Sequence, residues 1–289
     1  MLHGLSRLLP EIEERGLDEA AVYRREALYE RPRFEQGRGR LTPARGALLC
    51  PVCGRSATRF LPFGLGGRPN ARCPDCGSLE RHRFLWTFLA ERTPLLRRRL
   101  SVLHTAPEPC LEPALRARHG RRYVTLDRFN PKADVRADLT DLPFPDGRFD
   151  LVLSSHVLEH VPDDRAALRE IARVLKPSGL AVLLFPFDPK GITREDPAVD
   201  TPAKRLAAYG HPYHYRIYGT DTPQRMFDAG LEATLVASAD LLSAHRRRRR
   251  RINRNHLFLA RPRNHPFLAR PRSAAAEHGD GPGDRSRET

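Results

Sequence analysis

Residues 149–187 read FDLVLSSHVLEHVPDDRAALREIARVLKPSGLAVLLFPF, and the pattern of this stretch decides the fold. Residues 151–155 are a short apolar run, as expected of a strand covered on both faces. Pro162, Asp163 and Asp164 then supply a helix start, because acids there complement the helix dipole. Leu168, Ile171, Ala172 and Leu175 follow at helical spacing. Lys176, Pro177, Ser178 and Gly179 stop that helix with a cation, a Pro and a Gly. A second apolar run occupies residues 180–185. Two such strands joined by one helix are most simply parallel, with a right-handed crossover. Ligands of such sheets bind beyond the carboxyl ends of the strands, so Ser154, Ser155 and His156 stand at the mouth of a site.

These residues also carry a resemblance. FDLVLSSHVLEHVPD followed by REIARVLKPSGLAVLLFP is similar to the centre of the class I S-adenosylmethionine-dependent methyltransferases, above all the small-molecule "type 11" group. The resemblance implies a Rossmann-like α/β domain that binds S-adenosylmethionine. It also implies methyl transfer to an O, N or C nucleophile of a small-molecule acceptor. Two other readings stand beside it. One is an RNA methyltransferase that docks through a zinc module, and the other is a non-catalytic scaffold on a degenerate methyltransferase fold.

Upstream, Cys50-Pro51-Val52-Cys53-Gly54 and Cys73-Pro74-Asp75-Cys76-Gly77 form two C-x2-C pairs. This spacing is a zinc-ribbon pattern, with a Gly after each second Cys to take the positive φ of a tight knuckle. Four thiolates (Cys50, Cys53, Cys73 and Cys76) close a tetrahedral shell around Zn2+ and leave no position for a catalytic water, so the metal is expected to be structural. The insert between the pairs suits a short hairpin. Phe84, Leu85, Trp86, Phe88 and Leu89 then suggest an amphipathic helix tying the ribbon to the larger domain, with His82 hydrogen-bonded rather than ligating. Cys110 reads as a packing residue.

Residues 101–105 are expected to be the first strand of the sheet. The following loop, Ala106-Pro107-Glu108-Pro109-Cys110, departs from the family pattern of an acidic residue followed by Gly-x-Gly. His104 takes the acidic position, and Ala106 and Glu108 take the two glycine positions. By the resemblance these remain cofactor-binding positions, with Glu108 meeting the ammonium of the methionine moiety in a rebuilt site. A loop that has lost the cofactor is the alternative. Residues 123–126 make the second strand and end in Asp127, placed where an acid accepts two ribose hydroxyls. Residues 134–136 suggest a short third strand. Within DLTDLPFPDGRFD, the resemblance makes Asp138 an acceptor for the adenine amino group and Leu139 a wall for the ring. His156 falls where the family places residues near the reacting methyl.

The polar segment after Phe187 is expected to cover the substrate, with His214, Arg216 and Tyr218 as substrate-facing candidates beside His156. Residues 222–230 read as a short helix ending in Gly, and residues 234–237 and 256–260 as the last two strands. The Arg246–Arg251 run between them reads as a solvated hairpin loop, and a phosphate-binding role stays open. A near-repeat, NHLFLARPR then NHPFLARPR, precedes a tail of disordered composition. The boundaries that follow are 1–47 for a helical or linker segment, 48–83 for the ribbon, 84–262 for the methyltransferase domain and 263–289 for the tail.

The composition narrows the class. The formal net charge is +15, which leaves a nucleic-acid partner open. Of the 50 basic residues only Lys132, Lys176, Lys190 and Lys204 are Lys, and this excess of Arg, with much Ala, Pro and Gly, equally suits a GC-rich genome. No stretch approaches the roughly 20 apolar residues of a membrane span, and acids follow the first residues too soon for a secretory signal. A cytoplasmic protein is expected.

Overall fold

The computed structural model describes residues 48–63 and 67–263. The expected N-terminal helical segment, the second copy of the near-repeat and the tail lie outside the described residues.

Two small antiparallel pairs come first. They are β1 (Leu48–Leu49) with β2 (Ser56–Ala57), and β3 (Leu61–Phe63) with β4 (Arg68–Arg72). The second pair is the hairpin expected between the cysteine pairs. Helix α1 (Glu80–Arg92) follows. Its Phe84, Leu85, Phe88 and Leu89 are buried against the large sheet.

That sheet has the order β6-β5-β7-β8-β10-β9. Its strands are β5 (Val102–Thr105), β6 (Tyr123–Leu126), β7 (Phe149–Ser155), β8 (Leu175–Leu184), β9 (Leu231–Ala237) and β10 (His256–Pro262). The first four are parallel, and β10 runs antiparallel to both β8 and β9. This is a Rossmann-like α/β fold with a mixed central sheet. The apolar runs divide by alternation, since successive side chains point to opposite faces. Leu103, Val152, Ala181 and Leu183 enter one core, together with Ile171 of α3 (Asp164–Val174) and Met226 of α5 (Thr222–Asp228). Val102, Leu151, Leu153, Val182 and Leu184 enter the other, with α1 and Leu115 of α2 (Glu112–His119).

Helix α3 starts as the sequence predicts, with the Asp163 carboxylate accepting from the Ala166 N–H at 2.9 Å. Its end differs in detail. Leu175 already belongs to β8, and Lys176 pairs with Asp150 at 2.6 Å instead of capping the helix. Gly179 is required there because an added Cβ would lie 2.9 Å from the Lys176 carbonyl and 3.0 Å from that of Phe149. The expected third strand shrinks to a single parallel bridge between Leu126 and Val135. The Asp134 carboxylate takes the Thr125 N–H and hydroxyl at 2.9 and 2.8 Å, so a side chain replaces a ladder partner.

The arginine run is a second correction. It forms helix α7 (Ala244–Arg250) after a short α6 (Ser238–Leu241), not a hairpin loop. Ser243 caps its start and Arg251 closes it in the left-handed conformation. Arg is a good helix former, and Glu91 of α1 receives both Arg246 and Arg250. Neighbouring Arg83 is fully buried and donates to the carbonyls of Ser78, Ala71, Arg250 and Arg251. One guanidinium thus joins the cysteine-bearing segment, α1 and the end of α7.

The segment after β8 forms a strap that contains α4 (Pro202–Tyr209), capped by Thr201 and ended by the left-handed Gly210. A buried ion network holds the strap. Arg225 forks onto Asp164 at 2.7 and 2.6 Å and onto Glu195 at 2.8 and 2.9 Å. Arg216 donates to Glu195 and to the carbonyls of Leu158, Val161 and Pro162, and the Tyr218 hydroxyl donates to Asp164. Among the described residues no helix is long and apolar enough to cross a membrane.

Asp164→Ala strands the buried Arg225 fork and is expected to cost about 3–5 kcal/mol in urea unfolding at neutral pH. Tyr218→Phe removes one hydrogen bond to the same carboxylate and should cost only about 1 kcal/mol.

Candidate functional site

Because β5, β6 and β7 are parallel, Thr105, Leu126 and Ser155 end at one edge of the sheet. The loop after β5 begins with Ala106, whose φ is 45° and whose N–H donates to the Leu126 carbonyl at 2.8 Å. An alanine therefore adopts the left-handed backbone that a glycine takes more cheaply. Two residues on, Glu108 is buried and its Oε2 lies 2.7 Å from His104 Nε2, while His104 Nδ1 lies 2.7 Å from the Tyr123 hydroxyl. Burial opposes the Glu108 charge, but the hydrogen bond and the field of His104 outweigh it and hold the pKa at about 2. An ionised carboxylate only accepts, so His104 donates from Nε2, while its Nδ1 shares a hydrogen bond with the Tyr123 hydroxyl. Glu108 Oε1 is buried and has no protein partner, and neither has Ser154 Oγ at the end of β7.

His156 follows β7 with φ at 56°. Its Nδ1 is 2.9 Å from Oε1 of Glu159, and its ring is 35% exposed while Glu159 is fully buried. Burial again opposes the charge on Glu159, and the hydrogen bond and field of His156 overcome it and bring the pKa to about 2. With Glu159 ionised, His156 donates from Nδ1 and keeps Nε2 as an acceptor in its neutral form. Glu159 Oε2 is also buried without a protein partner.

The other expected positions differ in how they are engaged. Asp127 is buried after β6, and its Oδ1 accepts from the N–H groups of Phe129 and Asn130 at 2.7 and 2.9 Å. Asp138 receives Thr140 on Oδ1 and pairs with Arg128 at 3.3 Å. Leu139 is buried in the core with Leu142 and Phe149. Arg216 and Tyr218 are buried and engaged in the strap network. His214 lies against His160 and His211. His82 is buried beside the loop, accepts the Leu79 N–H and touches Cys110 Sγ at 3.3 Å. Burial chiefly pushes its pKa down to about 3.

The four paired cysteines converge, with sulfur atoms all within 4.8 Å of one another. Cys50 and Cys76 approach to 3.6 Å and Cys53 and Cys73 to 3.9 Å. Disulfide sulfurs would be about 2 Å apart. A Zn–S distance of about 2.3 Å places tetrahedral sulfurs about 3.8 Å apart, so the donor set fits zinc. The backbone repeats itself around the two pairs. Gly54 N–H donates to the Cys50 carbonyl at 2.9 Å and Gly77 to that of Cys73 at 3.0 Å, with φ values of 71° and 73°.

Sequence reasoning did not find Glu159 as the His156 partner, the His104–Tyr123 pair, or His160 and His211 beside His214. The one available signal was the density of His in GHPYHYRIYG.

Comparison with known proteins agrees with the central unit. Residues 111–183 match the family described as "Methyltransferase domain". An uncharacterized methyltransferase of Mycobacterium sp. (strain JLS) is 40% identical over 112 residues, which is 35% of this chain and 43% of that protein. A probable S-adenosylmethionine-dependent methyltransferase of Mycobacterium tuberculosis is 37% identical over 102 residues, covering 35% of this chain and 33% of that protein. The crystal structure of the YcgJ protein of Bacillus subtilis superimposes with a TM-score of 0.42 at 19% identity, over 63% of this chain and 97% of that one. The chain spans less than half the length of the curated relatives named here. The family match spans the strand–helix–strand centre of this chain, from α2 to the end of β8.

Glu108 and Glu159 both have folded pKa values of about 2, depressed from 4.5. Their contribution to stability is therefore complete above pH 4.5 and is lost as the pH falls towards 2. Acid unfolding followed by circular dichroism should show that loss, and Glu159→Gln should flatten the profile in the same window.

Proposed function

We propose that this protein is an S-adenosylmethionine-dependent methyltransferase acting on a small-molecule acceptor, with residues 48–83 as a structural zinc ribbon and 84–262 as the catalytic domain. The family match and the named relatives support the reaction class. The observation that carries the reading is Glu108. It is a buried, ionised carboxylate with one oxygen lacking a protein partner, at the carboxyl edge where the cofactor's ammonium is expected. A buried carboxylate oxygen without a hydrogen-bond partner is costly unless a ligand completes it.

S-adenosylmethionine supplies a methyl group already activated on a sulfonium. What remains for the chain is mainly to hold and align. Glu108 receives the ammonium, and the left-handed Ala106 keeps the loop backbone close, as a glycine would. Asp127 accepts the ribose hydroxyls, and Asp138 and Leu139 frame the adenine. Through Nε2, His156 orients the acceptor or takes its proton, while Glu159 fixes the ring's tautomer. In the ribbon, zinc holds the four thiolates together and has no part in the chemistry.

Titration calorimetry of zinc-replete protein with S-adenosylmethionine is expected to show micromolar binding, about −8 kcal/mol. Asp127→Ala and Glu108→Gln should each weaken it at least tenfold. No heat and no thermal shift in folded protein would replace this reading by the scaffold. Salt-sensitive retention of RNA would favour the nucleic-acid acceptor. A strong chelator should lower the melting temperature, and added zinc should restore it.

A further inference from the structure

His160, His211 and His214 form a cluster that the proposed reaction does not use. His160 ends the short 3-10 turn Leu158–His160 after β7, and His211 and His214 follow the left-handed end of α4. One imidazole nitrogen from each lies within 4.8 Å of the others. The ring centroids are 4.7 Å apart for His160–His214, 4.5 Å for His211–His214 and 5.0 Å for His160–His211. Two chain segments separated by some fifty residues therefore deliver three imidazoles to one point. The Tyr215 N–H donates to the Glu159 carbonyl at 2.8 Å and pins the segments together.

We infer that His160, His211 and His214 form a second metal site, for a divalent transition ion of the zinc class, with its fourth position open. Three neutral imidazoles suit Zn2+, Co2+, Ni2+ or Cu2+ and are unsuited to Mg2+ or Ca2+. At Zn–N distances near 2.0 Å, tetrahedral nitrogens are about 3.3 Å apart. Small movements of these half-buried side chains close the remaining gap from 4.8 Å. His214 Nδ1 is buried with no hydrogen-bond partner, the state of a nitrogen that lacks its ligand. His211 Nδ1 accepts the Tyr213 N–H at a long 3.2 Å, so its lone pair is on Nδ1 and a metal can take that contact over. The fully buried carboxylate of Glu159, next in the chain to His160, supplies a negative field that favours a cation. Packing of the rings alone leaves the His214 nitrogen unexplained.

Four thiolates close the ribbon site, whereas three imidazoles leave a position for water or a substrate oxygen. Glu159 bonds His156 through its carboxylate and the Tyr215 N–H through its carbonyl, which sets the cluster beside the residue proposed to face the acceptor. This last consequence rests on the methyltransferase reading; the metal site itself does not.

The test titrates Co2+ into full-length protein whose cysteine site is already loaded with zinc, without S-adenosylmethionine. A second metal equivalent is expected, with cobalt d–d bands and no thiolate-to-cobalt charge transfer. His214→Ala and His211→Gln should each weaken Co2+ at least tenfold, since loss of even an outer partner of a metal ligand costs this much. Circular dichroism melts without added metal check that each variant folds, and His211→Gln, in the turn after α4, serves if His214→Ala does not. Uptake of no second equivalent, equal Co2+ affinity in wild type and His211→Gln, or thiolate charge transfer on cobalt addition would overturn the site. Because S-adenosylmethionine is absent, failure here is separate from failure of the calorimetric test of the cofactor.

Discussion

Parallel strands must each be re-entered from the opposite end of the sheet, and this constraint organises the molecule. Every crossover returns over a face, so both faces are covered and the strands can be apolar on both sides. Each strand also releases its following loop at the same edge. Ala106, Asp127 and His156 are far apart in the chain, yet they follow β5, β6 and β7 and so share one edge. A site at that edge needs no special folding device. It comes from topology, and the loops only decide its chemistry.

Those loops carry buried acids, and each acid is held by a different cation or dipole. Glu108 rests on His104, Glu159 on His156, and Asp164 on Arg225 and Tyr218. Removing charges from water is costly, so such groups are tolerated only where hydrogen bonds are nearly complete. Asp164 is satisfied by the protein and is structural. Glu108 and Glu159 each keep one oxygen without a protein partner. The difference separates a fastening from a carboxylate with an oxygen left to accept a hydrogen bond. The strap is fastened by the first kind and thereby carries His211 and His214 to His160, beside the second kind.

Among the polar contacts that join the cysteine-bearing segment to the large domain, that of Arg83 is of the same sort. Arg83 is buried between them and serves carbonyls on both sides, with its guanidinium over the Phe60 ring at 4.8 Å. The sequence gives no hint of this, because Arg83 is one of 46 arginines and nothing in its neighbours marks it as buried.

Local patterns were enough for what depends on nearest neighbours in the chain. Apolar runs of strand length, the Asp163 cap and the glycines after Cys53 and Cys76 all state their structure within a few residues, and all are present. They determined the parallel strand pair around α3 and the two knuckles. Only the tertiary structure decided whether a side chain faces a ligand or a neighbour. The partners of Arg216 and Tyr218, Glu195 and Asp164, appear only in the fold, and the arginine run reads as a loop until Glu91 stands beside it. The energy of a charge depends on partners dozens of residues away, and periodicity holds no record of them.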